Sequence, residues 1–428
     1  MHPAWWMDMG VPMAVRFFSN KERIGGHIQT LARYNSTPGR GITRFSYTEE
    51  DRLAREYVLD RAAELGLRIS IDPVGNIRAR LEGGDTKAPA VLTGSHLDTV
   101  LYGGKYDGAV GVVCGLEALT VFKEQGFKPE RSIELIVFSE EEGVNFGAGL
   151  AGSRSLVGIY STEDLKAFTN DQGISMYEAT TRFGLDPDSL DDHVLKPGQI
   201  HAMVEVHIEQ SLVLDTERIP LGIVTGIAGM KRLKVEIEGQ PNHAGATPMK
   251  YRKDPMAGAA EAISMIEKIA GSHATASTVG TVGKITCIPN IVNVIPRKVE
   301  FFVDTRDVEP AGMETVSRAL GEKLEQLSAE RGLKCTLTNT GEIDPTQCAD
   351  TVVQALEDSA GKRGIAYMRM NSGALHDTAV LAGITDIGML FVPSIGGRSH
   401  VPEERTELDD IAKGCDVLMG ALQRLSKL

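Results

Sequence analysis

Short apolar runs that alternate with a helical segment are the feature that most restricts the fold of this sequence. "APAVLTGSHLDTV" begins as an apolar strand and runs into a Gly-Ser turn, and "SIELIVF" is a second β-rich run. Between them, "YDGAVGVVCGLEALTVFKEQG" is apolar at helical spacing and ends at Gly126. Strands that alternate with helices predict an α/β fold with a mostly parallel sheet, whose functional site lies at the carboxyl ends of the strands.

The pattern changes after about Ile223, and the change predicts a second domain. "RLKVEIEGQ" and "KVEFFVDTRD" alternate between apolar and polar residues, "DPMAGAAEAISMIEKIAG" is amphipathic, and a long helix is expected over about Met313–Arg331. This order is typical of a small α+β domain with an antiparallel, ferredoxin-like sheet. At 428 residues the chain is also too long for one ordinary domain. We therefore predict an α/β domain of residues 1–222 and 340–428, interrupted by an inserted α+β domain of residues 223–339.

Composition argues against several classes of function and location. The net charge of −13 disfavours nucleic acid or an anionic membrane as a partner. Five cysteines are scattered singly, which is typical of reduced thiols in a cytoplasmic protein. The segment "MHPAWWMDMGVPMAVRFF" lacks a basic start and carries Asp8, so we do not expect a signal peptide. No run approaches the roughly 20 apolar residues that span a bilayer.

Polar residues with metal-ligand chemistry follow the first predicted strand. In an extended backbone, residues two apart share a face, so Asp98 can hydrogen-bond the far ring nitrogen of His96. A metal-bound histidine needs such a partner to fix its tautomer, although a buried structural His-Asp pair explains the two residues equally well. Asp107 lies at the start of the next helix, where aspartate is also a common N-cap.

Three consecutive glutamates, Glu140, Glu141 and Glu142, follow the run "SIELIVF". Because like charges repel, we expect a positive group nearby. His207 and His400 follow two later apolar stretches, and each alone is explained as a core or loop histidine. Together, these carboxylates and imidazoles suit two divalent cations bridged by one aspartate.

Six ordered motifs make the sequence resemble the carbamoylase/allantoate amidohydrolase family. They are "GSHLDTV…GGKYDGAVGV", "EEGVNFG", "HIEQ", "GQPNHAGATPM", "PNIVNVIP…VDTR" and "SGALHD…GGRSH". The resemblance runs from about Arg23 to the end of the sequence, and "GITRFSYTEEDRLAR" and "DPVGNI" are also similar to family segments. The family is distantly related to dinuclear aminoacylases and carboxypeptidase-type exopeptidases.

The resemblance implies two divalent metal ions per subunit, Zn²⁺ or Mn²⁺, with Co²⁺ or Ni²⁺ also accepted by such ligands. Asp107 would be shared between a first set with His96 and His207 and a second set with Glu142 and His400. We call these the His96–His207 set and the Glu142–His400 set.

The resemblance also divides the roles within the glutamate triplet. Glu141 would be the general base that takes a proton from the attacking water. Glu140 is left without a role, and we expect it to be plain surface charge.

Further site residues are implied in the inserted domain, which the family uses as a lid and for homodimerisation. His243 would stabilise the oxyanion, reaching the site from the partner subunit. Asn293 and Arg306 would bind the carboxylate of the substrate, with Gln210 nearby, because a planar guanidinium pairs with a carboxylate through two hydrogen bonds. Without the resemblance, Arg306 in an alternating strand would be explained as part of a solvated face.

The sequence departs from the family pattern at Ser211, Leu375 and Arg398. Leu375 directly precedes His376 and Asp377, and we expect these two residues, like Asp98, to contact the metal ligands and not the metals themselves. Arg398 is expected to point outward, and it is the first position to inspect for altered substrate preference.

The resemblance predicts hydrolysis of the carbamoyl C–N bond of an N-carbamoyl-L-amino acid to the amino acid, CO₂ and NH₃. Allantoate and β-ureidopropionate are alternative small-molecule substrates, because each presents a carboxylate and a ureido carbonyl. An aminoacylase or exopeptidase activity is a more remote alternative, and a non-catalytic binding protein would be expected to have lost a ligand or the base.

Overall fold

The computed structural model describes residues 16–272 and 274–427, so the first fifteen residues of the segment considered as a signal peptide lie outside it. The α-helices are α1 (Lys21–Leu31), α2 (Glu49–Glu64), α3 (Ala109–Glu124), α4 (Ala151–Leu156), α5 (Thr162–Ala167), α6 (Met176–Arg182), α7 (Val213–Glu217), α8 (Pro255–Ser272), α9 (Pro310–Arg331), α10 (Asp350–Arg363), α11 (Asp377–Leu381) and α12 (Leu408–Leu425). The β-strands are β1 (Arg68–Ile71), β2 (Ile77–Leu81), β3 (Ala90–His96), β4 (Ile133–Phe138), β5 (Ile200–Ile208), β6 (Gly222–Ile227), β7 (Gly229–Glu238), β8 (Asn242–His243), β9 (Val279–Ile288), β10 (Val294–Ile295), β11 (Lys298–Asp307), β12 (Lys334–Ile343), β13 (Thr346–Gln347), β14 (Met368–Ser372) and β15 (Asp386–Val392). Among the described helices, none combines the length and the apolar character that a membrane crossing requires.

The first of two compact units contains a mostly parallel sheet. This unit takes in the described residues up to Ile223, the segment Asp350–Met368 and the described residues from Gly383 onward. Its strands follow the order β1-β2-β4-β3-β5-β15. Neighbouring strands among β4, β3, β5 and β15 pair in parallel, whereas the β1–β2 hairpin joins β4 antiparallel. The prediction of an α/β fold with a mostly parallel central sheet is confirmed.

Strands β3 and β4 and helix α3 are buried because other helices and strands pack against them on both sides. Every residue of β3 and β4 is buried, which is why both read as continuous apolar runs. Helix α3 packs on β3, β4 and β5 and also contacts α1 and α12, so apolar residues occupy nearly its whole circumference. Gly94 has a φ of 149° in β3, and a Cβ there would lie 1.8 Å from the carbonyl oxygen of Ile136, so the strand requires glycine at this position.

The second unit contains a four-stranded antiparallel sheet in the order β12-β7-β11-β9. It comprises Val224–Ala349 and Arg369–Ala382, a somewhat wider range than the predicted insertion. Strand β11 alternates between buried and half-buried residues, because one face of the sheet packs on α8 and α9. The core of the unit lies between that face and the two helices and includes Leu233, Val235, Ile237, Ile266, Val299, Phe301, Val303, Val316 and Leu320.

Candidate metal centre

Polar side chains of the first unit gather at the carboxyl ends of its parallel strands. His96 is the last residue of β3, and His207 is the last but one of β5. Glu142 follows β4, and His400 follows β15. Because the four strands run parallel, their carboxyl ends share one edge of the sheet. Asp107 reaches the same edge from the loop before α3.

Asp107 lies at the middle of the cluster and faces histidines on two sides. Its Oδ1 is 3.2 Å from Nε2 of His207 and 3.7 Å from Nε2 of His96. Its Oδ2 is 3.1 Å from Nε2 of His400, whose ring lies 3.6 Å from Oε1 of Glu142. In both the His96–His207 set and the Glu142–His400 set, the candidate ligand atoms lie within 4.8 Å of one another.

The alternative explanation of Asp107 as a helix cap is wrong. Helix α3 has Gly108 at its N-cap position, and no side chain caps it. Gly108 has a φ of 61°, and a Cβ there would lie 2.6 Å from ring atoms of His96. The glycine therefore allows the backbone after Asp107 to lie directly against the imidazole.

Backbone carbonyls fix the tautomers of the two buried histidines. Nδ1 of His96 donates to the carbonyl oxygen of Asp98 at 2.9 Å, and Nδ1 of His207 donates to that of Ile208 at 2.9 Å. A carbonyl can only accept a hydrogen bond, so the proton lies on Nδ1 in both rings. Nε2 of each ring therefore faces Asp107 and is the nitrogen that would bind a metal once it carries no proton.

The carboxylate of Asp98 has a different function from the one that we predicted. Its Oδ1 lies 3.8 Å from Nδ1 of His96, beyond hydrogen-bonding distance, because β3 ends at His96 and the extended geometry does not continue to Asp98. The two carboxylate oxygens instead accept the backbone N–H groups of Glu141 at 3.2 Å and Glu142 at 3.0 Å. Asp98 thus holds the backbone of both glutamates.

Replacing Asp98 by Asn should lower kcat about 10- to 100-fold, because the amide offers one acceptor oxygen to two backbone N–H groups. Steady-state kinetics together with cation content will test this expectation. Asp85→Asn is a matched control, since Asp85 is exposed and also accepts two backbone N–H groups, from Lys87 and Ala88. Equal effects of the two substitutions would contradict a special role for Asp98.

Glu140 is not surface charge, so that expectation was wrong. Its side chain is 1% exposed, and Oε1 accepts the backbone N–H groups of Asn145 and Phe146. Its own N–H donates to the hydroxyl of Ser46 at 2.9 Å. Burial is the larger cause that raises the pKa of Glu140 to about 8, and the charge of Asp98 is the next. Glu140 therefore anchors the loop that carries the other two glutamates.

Buried carboxylates crowd this centre, and their pKa values reflect the crowding. Burial and then the charge of Asp107 raise the pKa of Glu142 well above its usual value, and the same two causes raise the pKa of Glu404 to about 7. Burial alone would also raise the pKa of Asp107, but hydrogen bonds from His207 and His400 hold it well below its usual range. A positive group between these carboxylates would relieve their repulsion.

The donor set fits divalent cations. Oε1 of Glu142 is buried and receives no hydrogen bond from the described residues. The same is true of Oε1 of Gln210, whose Nε2 lies 3.1 Å from Oδ2 of Asp107. Mixed imidazole and carboxylate ligands are typical of zinc and manganese sites.

Three residues of this cluster have a strained backbone. Glu140, Gln210 and His400 have φ values of 50°, 58° and 59°, in the left-handed region that non-glycine residues seldom adopt. Such strain persists only where surrounding contacts determine the conformation, and it is common at functional sites.

Two residues that contact Asp107 were missed by the sequence reasoning, Ser399 and Glu404. The hydroxyl of Ser399 lies 3.2 Å from Oδ2 of Asp107, and Glu404 accepts the backbone N–H of Asp107 at 3.1 Å. Both follow β15 within the run "GGRSHVPEERT", where a charged residue is ordinarily solvated. Their only signal was closeness in sequence to His400. Arg398 of the same run is half exposed and pairs with Glu403.

Five other predicted site residues lie in the second unit. His243 in β8 pairs with Val294 of β10, and the carbonyl of Asn293 accepts the N–H of Ala244. Arg306 of β11 donates to Oδ1 of Asp304 at 3.0 Å and to the carbonyl oxygen of Gly373 at 3.1 Å.

The remaining two adjoin α11. His376 lies beside the hydroxyl of Ser372 at 3.0 Å, and Asp377 is the first residue of the helix. His376 and Asp377 are both buried.

Comparison with known proteins gives matches over nearly the whole chain. The model of peptidase family M20/M25/M40 matches residues 92–424. An N-carbamoyl-L-amino acid amidohydrolase of Geobacillus stearothermophilus is 41% identical over 406 residues, covering 95% of this chain and 98% of that protein. A ureidoglycolate hydrolase of Arabidopsis thaliana is 39% identical over 405 residues, covering 93% of this chain and 85% of that protein. The crystal structure of an amidase of the hydantoinase/carbamoylase family from Burkholderia multivorans, 30% identical, superposes with a TM-score of 0.90 over 96% of this chain and 98% of that chain.

Proposed function

Because the chain belongs to peptidase family M20/M25/M40, we propose that it is a metal-dependent amidohydrolase that cleaves the carbamoyl C–N bond of an N-carbamoyl-L-amino acid or a related ureido acid. The products would be the amino acid, CO₂ and NH₃. The observation that carries the proposal is that the two carboxylate oxygens of Asp107 face different histidines, His207 and His400. The names of the relatives from Geobacillus stearothermophilus and Arabidopsis thaliana support a ureido acid as the substrate class.

Two divalent cations are the cofactors that we propose, Zn²⁺ or Mn²⁺, with Co²⁺ or Ni²⁺ also compatible with these ligands. The His96–His207 set would hold one and the Glu142–His400 set the other, with Asp107 common to both. Cations bound there polarise a carbonyl group and make water more acidic.

Glu141 is the group that we propose as general base. Its side chain lies beside the His96–His207 set, with Oε2 3.7 Å from Nε2 of His96, but it belongs to neither set. Asp98 holds its backbone through the N–H group. Glu141 would take a proton from the attacking water and return it to the leaving nitrogen.

The second unit would supply the oxyanion and carboxylate contacts. Nδ1 of His243 accepts the backbone N–H groups of Gly245 and Ala246, at 3.0 and 3.2 Å. The neutral ring then carries its proton on Nε2, which leaves that nitrogen as a hydrogen-bond donor for a developing oxyanion. Arg306 and Asn293 would bind the carboxylate of the substrate.

Gln210 belongs to the first unit, and its amide nitrogen already contacts Asp107. We propose that this amide would also contact the substrate.

We further propose that the second unit is a ferredoxin-like lid through which the protein forms a homodimer. The unit exposes large apolar side chains that a second copy would cover, namely Met249, Tyr251, Ile291 and Val292. A cytoplasmic location agrees with the thiols of Cys114 and Cys415, which lie in the core, where Cys415 donates to the carbonyl of Cys114.

Ammonia release by the purified protein will test the proposed reaction. The panel should contain N-carbamoyl-L-amino acids, their D forms, allantoate, β-ureidopropionate, ureidoglycolate and a dipeptide. We expect strong turnover of one ureido acid, loss of that turnover on removal of the cations by a chelator, and recovery on addition of Zn²⁺ or Mn²⁺. Cleavage of a dipeptide liberates no ammonia, so it must be followed separately by the amino acids that it releases.

Cleavage of the dipeptide with no turnover of any ureido acid would overturn the proposed function in favour of an exopeptidase.

A further inference from the structure

Glu404 is a buried carboxylate with no part in the mechanism above, although it lies directly behind the shared aspartate. It belongs to the loop between β15 and α12 and is 5% exposed. Two hydrogen bonds close the base of this loop. The N–H of Ile395 donates to the carbonyl oxygen of Arg405 at 2.8 Å, and the hydroxyl of Thr406 donates to the carbonyl oxygen of Pro393 at 2.6 Å. The two ends of the loop that carries His400 are therefore held together.

The carboxylate of Glu404 binds the backbone of the loop that carries Asp107. Its Oε1 accepts the N–H of Tyr106 at 2.8 Å and that of Asp107 at 3.1 Å. A Cβ at Gly104 would lie 2.1 Å from Oε1, so the loop packs on the carboxylate without space for a side chain. These contacts leave the backbone of Asp107 little freedom to move.

Ser399 supplies a second link between the same two loops. Its hydroxyl lies within reach of Oδ2 of Asp107, at 3.2 Å, and of Oε2 of Glu404, at 3.4 Å. Ser399 precedes His400 directly. Glu404 and Ser399 thus hold the backbone and the side chain of Asp107 on the side where His400 approaches it.

We propose that Glu404 is a positioning residue that sets the separation between Asp107 and His400 and thereby determines the cation affinity of the Glu142–His400 set. The His96–His207 set depends on it less, because His96 and His207 are oriented by their own backbone carbonyls. This inference rests on the proposed function, since it presumes that the two sets hold cations.

A carboxylate is unexpected next to a ligand of the same charge, and the two N–H groups explain its presence. One carboxylate oxygen accepts both, whereas an apolar side chain would leave two buried donors without a partner. Glutamine retains an acceptor oxygen at the same place. Glu404→Gln should therefore keep most of the cation affinity that Glu404→Ala loses.

Stepwise titration of the metal-free protein with Zn²⁺, followed by calorimetry and by metal analysis after gel filtration, will test the proposal. We expect two equivalents in the unsubstituted protein. In Glu404→Ala, the affinity for the second equivalent should fall at least about tenfold, the effect typical of residues that orient ligands, while that for the first changes little. Glu404→Gln should stay close to the unsubstituted protein, and saturating Zn²⁺ should restore kcat in Glu404→Ala.

Glu403→Ala is the matched control, because Glu403 is the exposed neighbour that pairs with Arg398. It should bind both equivalents as the unsubstituted protein does. If Glu404→Ala does not fold, Ser399→Ala can be used in its place. It removes only the hydroxyl group and should lower the affinity for the same second equivalent of Zn²⁺.

Unchanged binding of both equivalents in Glu404→Ala and Ser399→Ala would overturn the inference and leave the proposed function standing. Equal loss of both equivalents in a folded Glu404→Ala protein would also overturn it, because the effect would then not be specific to one set. An unsubstituted protein that binds no cation would overturn the inference and the proposed function together.

Discussion

Glu141→Gln should lower turnover about 10²- to 10⁴-fold while leaving the content of bound cations unchanged. The substitution keeps the size of the side chain and removes its ability to accept a proton. Glu141 belongs to neither ligand set, and Asp98 holds it through its backbone N–H, which the substitution does not alter. Ammonia release and metal analysis on the same preparation will provide both readings.

Glu140→Gln is the matched control for this experiment, because it makes the same chemical change one residue earlier. The amide oxygen can still accept the N–H groups of Asn145 and Phe146, so the loop should keep its shape and turnover should change little. If both variants lose turnover equally with their cations retained, the assignment of roles within the triplet is wrong.

Asp107→Asn should reduce the cation content to at most one per chain and lower turnover by more than about 10³-fold, since it affects base-assisted attack and polarisation of the carbonyl together. The shared carboxylate faces His207 with one oxygen and His400 with the other. An amide presents one oxygen and one NH₂ group, so one of the two sets loses its central ligand, and the negative charge is lost from both.

Metal analysis after gel filtration and single-turnover kinetics will measure the two effects. Asp409→Asn is a suitable control, because Asp409 is exposed and forms an ion pair with Lys21 at the surface. Retention of two cations by Asp107→Asn would contradict the sharing of Asp107 between the two sets.

Much of the fold and the grouping of the site residues followed from the order of strands and helices. The runs that became β3 and β4 are apolar because both faces of the sheet are covered, and parallel strands place the residues that follow them on one edge. His96, His207 and Glu142 are brought together for this reason. The division into ligands, base and substrate contacts came from the resemblance to a family, and it stays a prediction.

Hydrogen bonds that depend on loop conformation could not be predicted in the same way. Asp98 was expected to reach the ring of His96 because residues two apart share a face, but that rule holds only within a strand, and β3 ends at His96. Glu140 was expected at the surface, whereas its left-handed φ of 50° accompanies a buried side chain. Neither the end of a strand nor a positive φ at a glutamate has a reliable sequence signal.

The contacts of Glu404 could not be predicted from the sequence either, because they join residues that are far apart in the chain. It lies in a run rich in charged residues, and the N–H groups that it accepts belong to a loop 297 and 298 residues earlier in the chain. Burial of this one glutamate among exposed neighbours results from tertiary packing around Gly104, which the composition of the run does not reveal.

The unequal burial of the histidines has a consequence for how the protein would acquire its cations. The side chains of His96 and His207 are 2% and 1% exposed, whereas that of His400 is 48% exposed. Loading should therefore be sequential, with an inner ion that exchanges slowly and an outer ion that equilibrates quickly with the medium. After dialysis, the inner ion would still be the one acquired during growth, whereas the outer ion would be the one supplied by the buffer. The identities of the two ions must therefore be determined separately.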